Sequence, residues 1–236
     1  KREGDPMIEQ NILAIRERMN QAALAAGRDP KEILLCAATK MNDTQRVRRA
    51  IAGGVDCCGE NKVQELVQKQ KENAYEGAPV HFIGHLQTNK VKQVVGKVDL
   101  IQSVDRLALL ECIEKEAAKQ GICQDILFEI NIASEESKSG FTVQEVYELV
   151  PQMDRFLHCK LKGLMVIPPV SDKKGANRKF FEEIRTIAVD ITSKKSHNIS
   201  MDILSMGMTD DFEDAIACGS TMIRVGTAIF GARYYK

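Results

Sequence analysis

The chain has 236 residues, comfortable for one α/β barrel or doubly wound sheet. Hydrophobic residues make up 44% and charged residues 28%, which excludes low-complexity disorder and collagen-like repeats. Lys plus Arg and Asp plus Glu are each 33, so the basic excess needed for general nucleic-acid or membrane-surface binding is missing, although a local basic pocket for a small anion is not excluded.

The opening Lys1-Arg2-Glu3-Gly4-Asp5-Pro6-Met7 has no apolar stretch of a secretory signal. Residues 1–6 read as an added or loose start to a single domain over 7–236. No run approaches the ~18–20 apolar residues of a membrane span. From residue 8 onward, helical patterns alternate with short apolar runs. A helix over 8–26, closed by Gly27, precedes a run at 33–38. Helices at 44–52, 62–73 and 89–95 lead to runs at 55–58, 80–84 and 98–103. Helices at 106–119, 143–153, 177–194 and 211–217 lead to runs at 126–132, 163–167, 201–206 and 221–230. Thr142 with Glu145 and Asp210 with Glu213 have capping-box spacing, Asn61 with Gln64 a related one, and Gly121 suits a helix end. Segment 168–176 reads as a loop, and no linker divides the chain. Eight strands alternating with helices give the arithmetic of a single TIM-type (β/α)8 barrel, with a doubly wound sheet as runner-up.

The seven cysteines, Cys36, Cys57, Cys58, Cys112, Cys123, Cys159 and Cys218, are odd in number and contain no CxxC. They read as reduced, mostly buried thiols of a cytoplasmic protein, with neither a disulfide framework nor a zinc site. Adjacent Cys57 and Cys58 point to opposite faces of a strand.

In a barrel, functional groups collect where strands end. Those positions hold Thr39-Lys40, Gly59-Glu60-Asn61, His85-Leu86-Gln87-Thr88-Asn89, Asn131, Lys138-Ser139-Gly140, Ser205-Met206-Gly207-Met208 and Arg224-Val225-Gly226-Thr227. Lys40 closes a buried run, where partial desolvation favours a neutral, nucleophilic amine; the bland alternative is a lysine snorkelling from the rim. The last two strand ends suit a phosphate cup of glycine backbone and the Thr227 hydroxyl, with Arg224 on the face of Gly226. The bland alternative has Gly226 and Gly231 relieving crowding and Arg224 in an ordinary ion pair. His81 and His85 have metalloprotease spacing only on a helix, so on a strand His81 caps or packs. Taken alone, Asn61 is a helix cap, Lys138 a solvated loop cation, and Arg46, Arg48 and Arg49 a charged outer helix face. There is no HExxH, Walker A or GxGxxG sequence.

Several segments together carry a resemblance. They are Thr39-Lys40, Gly59-Glu60-Asn61-Lys62-Val63-Gln64-Glu65, His81-Phe82-Ile83-Gly84-His85-Leu86-Gln87-Thr88-Asn89-Lys90, Lys138-Ser139-Gly140-Phe141, Leu204-Ser205-Met206-Gly207-Met208-Thr209-Asp210-Asp211 and Arg224-Val225-Gly226-Thr227-Ala228-Ile229-Phe230-Gly231. In this order, from about Ile8 to Arg233, the chain resembles the pyridoxal phosphate homeostasis protein family, whose fold is similar to the N-terminal barrel of alanine racemase. The resemblance implies that Lys40 forms a Schiff base with pyridoxal 5′-phosphate (PLP). It implies that Ser205, Gly207, Gly226 and Thr227, with Met206 in the same stretch, hold the phosphate, and that Arg224 faces the pyridine nitrogen. Asn61, His85 and Lys138 fall in motifs lining the same pocket. The departures, Cys57-Cys58, Val166 and Pro169, touch packing near it.

An arginine partner can only donate, so the ring nitrogen stays unprotonated and the cofactor is a weak electron sink. Racemisation needs acid–base groups on both substrate faces; Lys40 serves one, and in racemases of this kind the other comes from a second, β-rich domain, for which a chain stopping at Lys236 has no room. The expectation is a non-catalytic, monomeric PLP-binding protein that stores, buffers or delivers the cofactor, with apo PLP-dependent enzymes as recipients and no metal. The alternatives are a small PLP-dependent amino-acid racemase and a Schiff-base lyase or isomerase acting on a phosphorylated sugar. In each, the Lys40 amine faces an anion cradle on the opposite arc of the barrel.

Overall fold

The computed structural model describes residues 7–194 and 196–232, so the expected loose start at 1–6 lies outside the described residues. Helix α1 (Ile8–Ala25) carries Ile8, Ile12, Ile15, Met19 and Ala23 at helical spacing, all buried. They pack on Leu35, Ala37, Ile223 and Val225, the outward residues of the first and last strands. At roughly 1.5–3 kcal/mol for each large side chain, this helix is part of the core.

Eight parallel strands close into a barrel in chain order: β1 (Leu34–Ala38), β2 (Cys57–Glu60), β3 (Val80–Phe82), β4 (Leu100–Val104), β5 (Gln124–Ile130), β6 (Cys159–Val166), β7 (Ile199–Ser205) and β8 (Met222–Val225). Pairing of β1 with β8, from Leu34↔Met222 to Ala37↔Val225, rules out the open, doubly wound alternative. The outer layer holds α2 (Thr44–Ala52), α3 (Val63–Lys71), α4 (Leu107–Gln120), α5 (Val143–Leu149), α6 (Arg178–Thr192), α7 (Phe212–Ala217) and the single turn α8 (Thr227–Phe230). Among the described residues, no helix is long and apolar enough to cross a membrane.

Three elements differ from the sequence reading. The last apolar run, 221–230, is a strand and then a helical turn, broken at Gly226. Apolar residues of both halves are buried, Met222, Ile223 and Val225 in the strand and Ile229 and Phe230 in the turn, so hydrophobicity alone does not mark the switch. The pattern at 89–95 is a 3₁₀ helix over Thr88–Gln93. The helix expected over 143–153 passes into a 3₁₀ helix over Val150–Arg155, where Pro151 lacks the N–H that would continue the α-helix.

The caps divide similarly. Thr142 and Glu145 make both bonds of a capping box. Asp210 and Glu213 do not: the cap of α7 is Asp211, whose carboxylate accepts from Met208 N–H at 2.8 Å and so orders the preceding loop. Asn61 is not a cap either, because α3 begins at Val63 behind Lys62. Cys57 and Cys58 do face opposite ways. Cys57 packs inside the barrel with Cys36 and Met222, whereas Cys58 joins the outer core with Val47 and Leu66.

Candidate functional site

The end of β1 is fixed from below by a buried charge cluster. Thr39 is fully buried, Lys40 is half-buried, and Met41 takes a left-handed φ of 62°, which turns the chain away from the barrel. Glu60 Oε1 accepts from Thr39 Oγ1 (2.6 Å), Lys69 Nζ (2.7 Å) and Tyr75 OH (3.0 Å). Lys69 Nζ also donates to the Thr39 carbonyl (2.8 Å) and to Glu65 Oε2 (3.1 Å), and Glu65 Oε2 accepts from Met41 N–H (2.9 Å). Both peptide groups flanking Lys40 are therefore tied to one ion cluster, which sets where its side chain starts. Burial, and then Glu60, push the Tyr75 phenol well above its usual range, so it remains a hydrogen-bond donor. Sequence reasoning missed Lys69, Tyr75 and Glu65. A carboxylate inside a strand at Glu60 was the available signal, since a buried charge requires a partner.

The glycine-rich arc lies beside Lys40, not on the opposite side of the barrel as expected. Its strand, β8, is the direct neighbour of β1, and a Cβ on Gly226 would sit 3.4 Å from the Ala38 Cβ. The hydroxyls of Thr227 and Thr209 meet at 3.3 Å, joining the two loops. Gly207 adopts φ +102°, and a Cβ there would lie 2.7 Å from the Ala215 Cβ. Its carbonyl accepts from Arg224 N–H at 2.9 Å, clamping the loop after β7 onto β8.

Arg224 is 4% exposed and makes no ordinary ion pair among the described residues. Its fork donates to Ser205 Oγ (2.6 Å) and to the Val166 carbonyl (2.9 Å), and burial lowers its pKa. Ser205 Oγ in turn donates to Gln102 Oε1 at 2.5 Å. The Ser205 hydroxyl thus faces the barrel interior and holds the arginine. Met206 is likewise fully buried, its side chain in the outer core and its N–H bonded to the Met222 carbonyl. Only its backbone borders the arc.

The remaining residues sit further round the rim. Asn61 follows β2 and has a buried Oδ1 without a hydrogen-bond partner. His85, its side chain 58% exposed, lies 3.6 Å from Asp105, which also pairs with Arg106 at 2.6 Å. Lys138 pairs with Glu135 at 2.9 Å in a loop pinned by the Asn131 amide. His81 is a packed strand residue, with Nδ1 2.8 Å from the Gln102 amide nitrogen. Arg46, Arg48 and Arg49 tie α2 to Phe230, Glu72 and Glu9, as an outer structural face.

Residues 8–234 match the family model for the alanine racemase N-terminal domain. Proteins named pyridoxal phosphate homeostasis protein are 37% identical over 226 residues in Aquifex aeolicus and 39% identical over 232 residues in Escherichia coli K12. These alignments cover 96% and 97% of this chain and 98% of each relative. The chain belongs to the pyridoxal phosphate homeostasis protein family. Among solved structures, PipY of Synechococcus elongatus with PLP bound superposes at TM-score 0.79 with 32% identity, covering 92% of this chain and all of that one. A structure described as an unknown protein from Bifidobacterium adolescentis reaches TM-score 0.90 at 35% identity, over 94% of each chain. Alanine racemase of Clostridium difficile, at TM-score 0.71 and 12% identity, shares the fold.

This family member also carries an interior carboxyl that sequence reasoning passed over. Glu129, the one charged residue in the apolar stretch 126–132, is pushed up from 4.5 to about 7 by burial and then by Asp105, with Arg224 opposing. The fold therefore prefers the protonated acid. Its contribution is fully present below pH 4.5 and is lost as pH rises toward 7, on the order of 3 kcal/mol. His81 acts in the opposite sense: burial lowers it from 6.5 to about 4, so stability falls as pH drops through that window. Comparing denaturant midpoints of wild type and Glu129→Gln isolates the first effect. The variant is expected to gain relative stability between pH 5 and about 7.5; a pH-independent difference refutes the assignment.

Proposed function

We propose that the chain binds PLP reversibly through the Lys40 amine and acts as a carrier that stores, buffers or delivers the cofactor. The observation that carries this reading is the placement of Lys40, with both flanking peptide groups fixed, next to the arc of Gly207, Gly226 and Thr227. When bound, PLP supplies an aldehyde that links reversibly to a lysine amine. The residues present fit such a ligand: an amine at a strand end, close-approaching backbone and a hydroxyl for an anion, and at Asn61 a buried amide oxygen still without a partner.

In this reading the backbone from Met206 to Gly207 and from Gly226 to Thr227, with the Thr227 hydroxyl, holds the phosphate. Ser205 orients Arg224, Arg224 donates toward the ring nitrogen, and Asn61 orients the ring edge. His85 and Lys138 stand at the outer rim. A guanidinium fixed by Ser205 and Val166 keeps its protons, which disfavours electron-sink chemistry and supports binding over racemisation. The names of the relatives and the PLP-bound PipY structure support the same reading. All seven cysteines are free, in keeping with a cytoplasmic site of action. We place apo PLP-dependent enzymes as recipients and a monomer as the working form.

The test is to load the full chain with PLP, reduce with borohydride and map the pyridoxyl group by peptide mass spectrometry. The expected result is a protein that turns yellow on loading, is bleached by borohydride and carries the pyridoxyl group on Lys40. A protein that stays colourless defeats the reading. Loaded protein given L- or D-alanine should leave chirality unchanged, and turnover would favour the racemase alternative.

A further inference from the structure

At mid-depth the barrel interior holds a second, chemically distinct cluster. Cys36 of β1, Cys57 of β2 and His81 of β3 are buried, and their two sulfurs and a ring nitrogen lie within 4.8 Å of one another. Cys36 and Cys57 are direct strand partners, so the closed sheet itself fixes their separation. Met222 packs against both sulfurs, and its own Sδ lies 3.2 Å from the Gln102 amide nitrogen that also meets His81 Nδ1 at 2.8 Å. An amide nitrogen carries only donors, so His81 Nδ1 accepts and bears a lone pair. Nothing in the cofactor reading uses these groups.

We propose that Cys36, Cys57 and His81, with the Met222 sulfur beside them, form a binding site for a soft monovalent metal ion, Cu(I) by its donor chemistry. Thiolate and thioether sulfurs with one imidazole make a soft, low-coordinate donor set of the kind that suits Cu(I). Here the nearby interior residues Leu100, Leu127, Met165 and Ile203 are apolar, and the Gln102 amide oxygen is occupied by the Ser205 hydroxyl. Binding releases the thiol protons to solvent and moves the Gln102 amide off His81. The buried Arg224 cation, strand partner of Cys36, compensates the negative charge of two thiolates. Leu34, two residues before Cys36 on the same strand face, is 40% exposed, so the cluster sits one residue pair in from the N-terminal end of β1, away from Lys40.

The test uses the full, PLP-loaded chain, reduced and anaerobic, with Cu(I) offered from a bathocuproine chelate. Wild type is expected to withdraw about one Cu(I) per chain. Cys36→Ser and Cys57→Ser should each lose most of that uptake and His81→Gln should weaken it about tenfold or more, while the outward Cys58→Ser leaves it unchanged. Because core variants can unfold, X-ray absorption on wild type gives an independent reading, with two or more sulfur neighbours and one nitrogen expected around copper. No withdrawal by wild type, a copper shell without two sulfurs, or uptake abolished by Cys58→Ser or Cys123→Ser overturns the site. Retention of Zn(II) but not Cu(I) by the same three residues overturns the choice of ion.

Discussion

Lys40→Ala protein is expected to lose essentially all borohydride-fixable PLP while still folding. The reason is local. Lys40 is half-buried beyond the end of β1, whereas the backbone around it is held by Glu60, Glu65 and Lys69. Removing the amine removes the only step that makes binding covalent, and the arc of Gly207, Gly226 and Thr227 retains a weaker, dialysable association. Absorbance after gel filtration, with mass spectrometry of the reduced protein, measures both. Wild-type levels of reducible adduct on the variant would place the attachment at another lysine.

The second large effect is expected at Lys69. Its ammonium is 7% exposed and is the cationic partner of Glu60, which is fully buried. Lys69→Met fills the space of the stem but leaves the Glu60 carboxylate inside the protein without a counter-charge. Breaking a buried pair from one side costs about 3–5 kcal/mol. In a domain of this size that lowers the melting temperature by roughly 10 °C. The variant also frees the Thr39 carbonyl and the Glu65 carboxylate that holds Met41, so PLP capture should slow even where the fold survives. Restoring neutrality with Glu60→Gln in the same chain is expected to recover part of the stability, since the costly species is the unpaired charge. Calorimetry on the single and double variants decides the matter, and a single variant as stable as wild type would show that the cluster contributes nothing to the end of β1.

The chain order of the barrel was legible because each β-type run alternates with an amphipathic helix, and that alternation is a local property of the polypeptide. Thr142-Val143-Gln144-Glu145 is similarly self-contained: both capping bonds lie within four residues, and both form. Lys40, Gly207, Gly226, Thr227 and Arg224 could be singled out because strand ends are where a barrel places its chemistry. The sequence by itself thus determined the elements, their order and the rim positions, together with the separate faces of Cys57 and Cys58, which follow from strand alternation. Only the tertiary structure decided that β8 lies beside β1, so that the anion arc adjoins the lysine, and that the Ser205 hydroxyl turns inward to hold Arg224. It also brought Glu60 to Lys69 and Tyr75, and Cys36 to Cys57 and His81. These contacts join residues of different elements whose side chains meet only once strands pair and helices pack on them, and no periodicity in a linear sequence encodes such a distance.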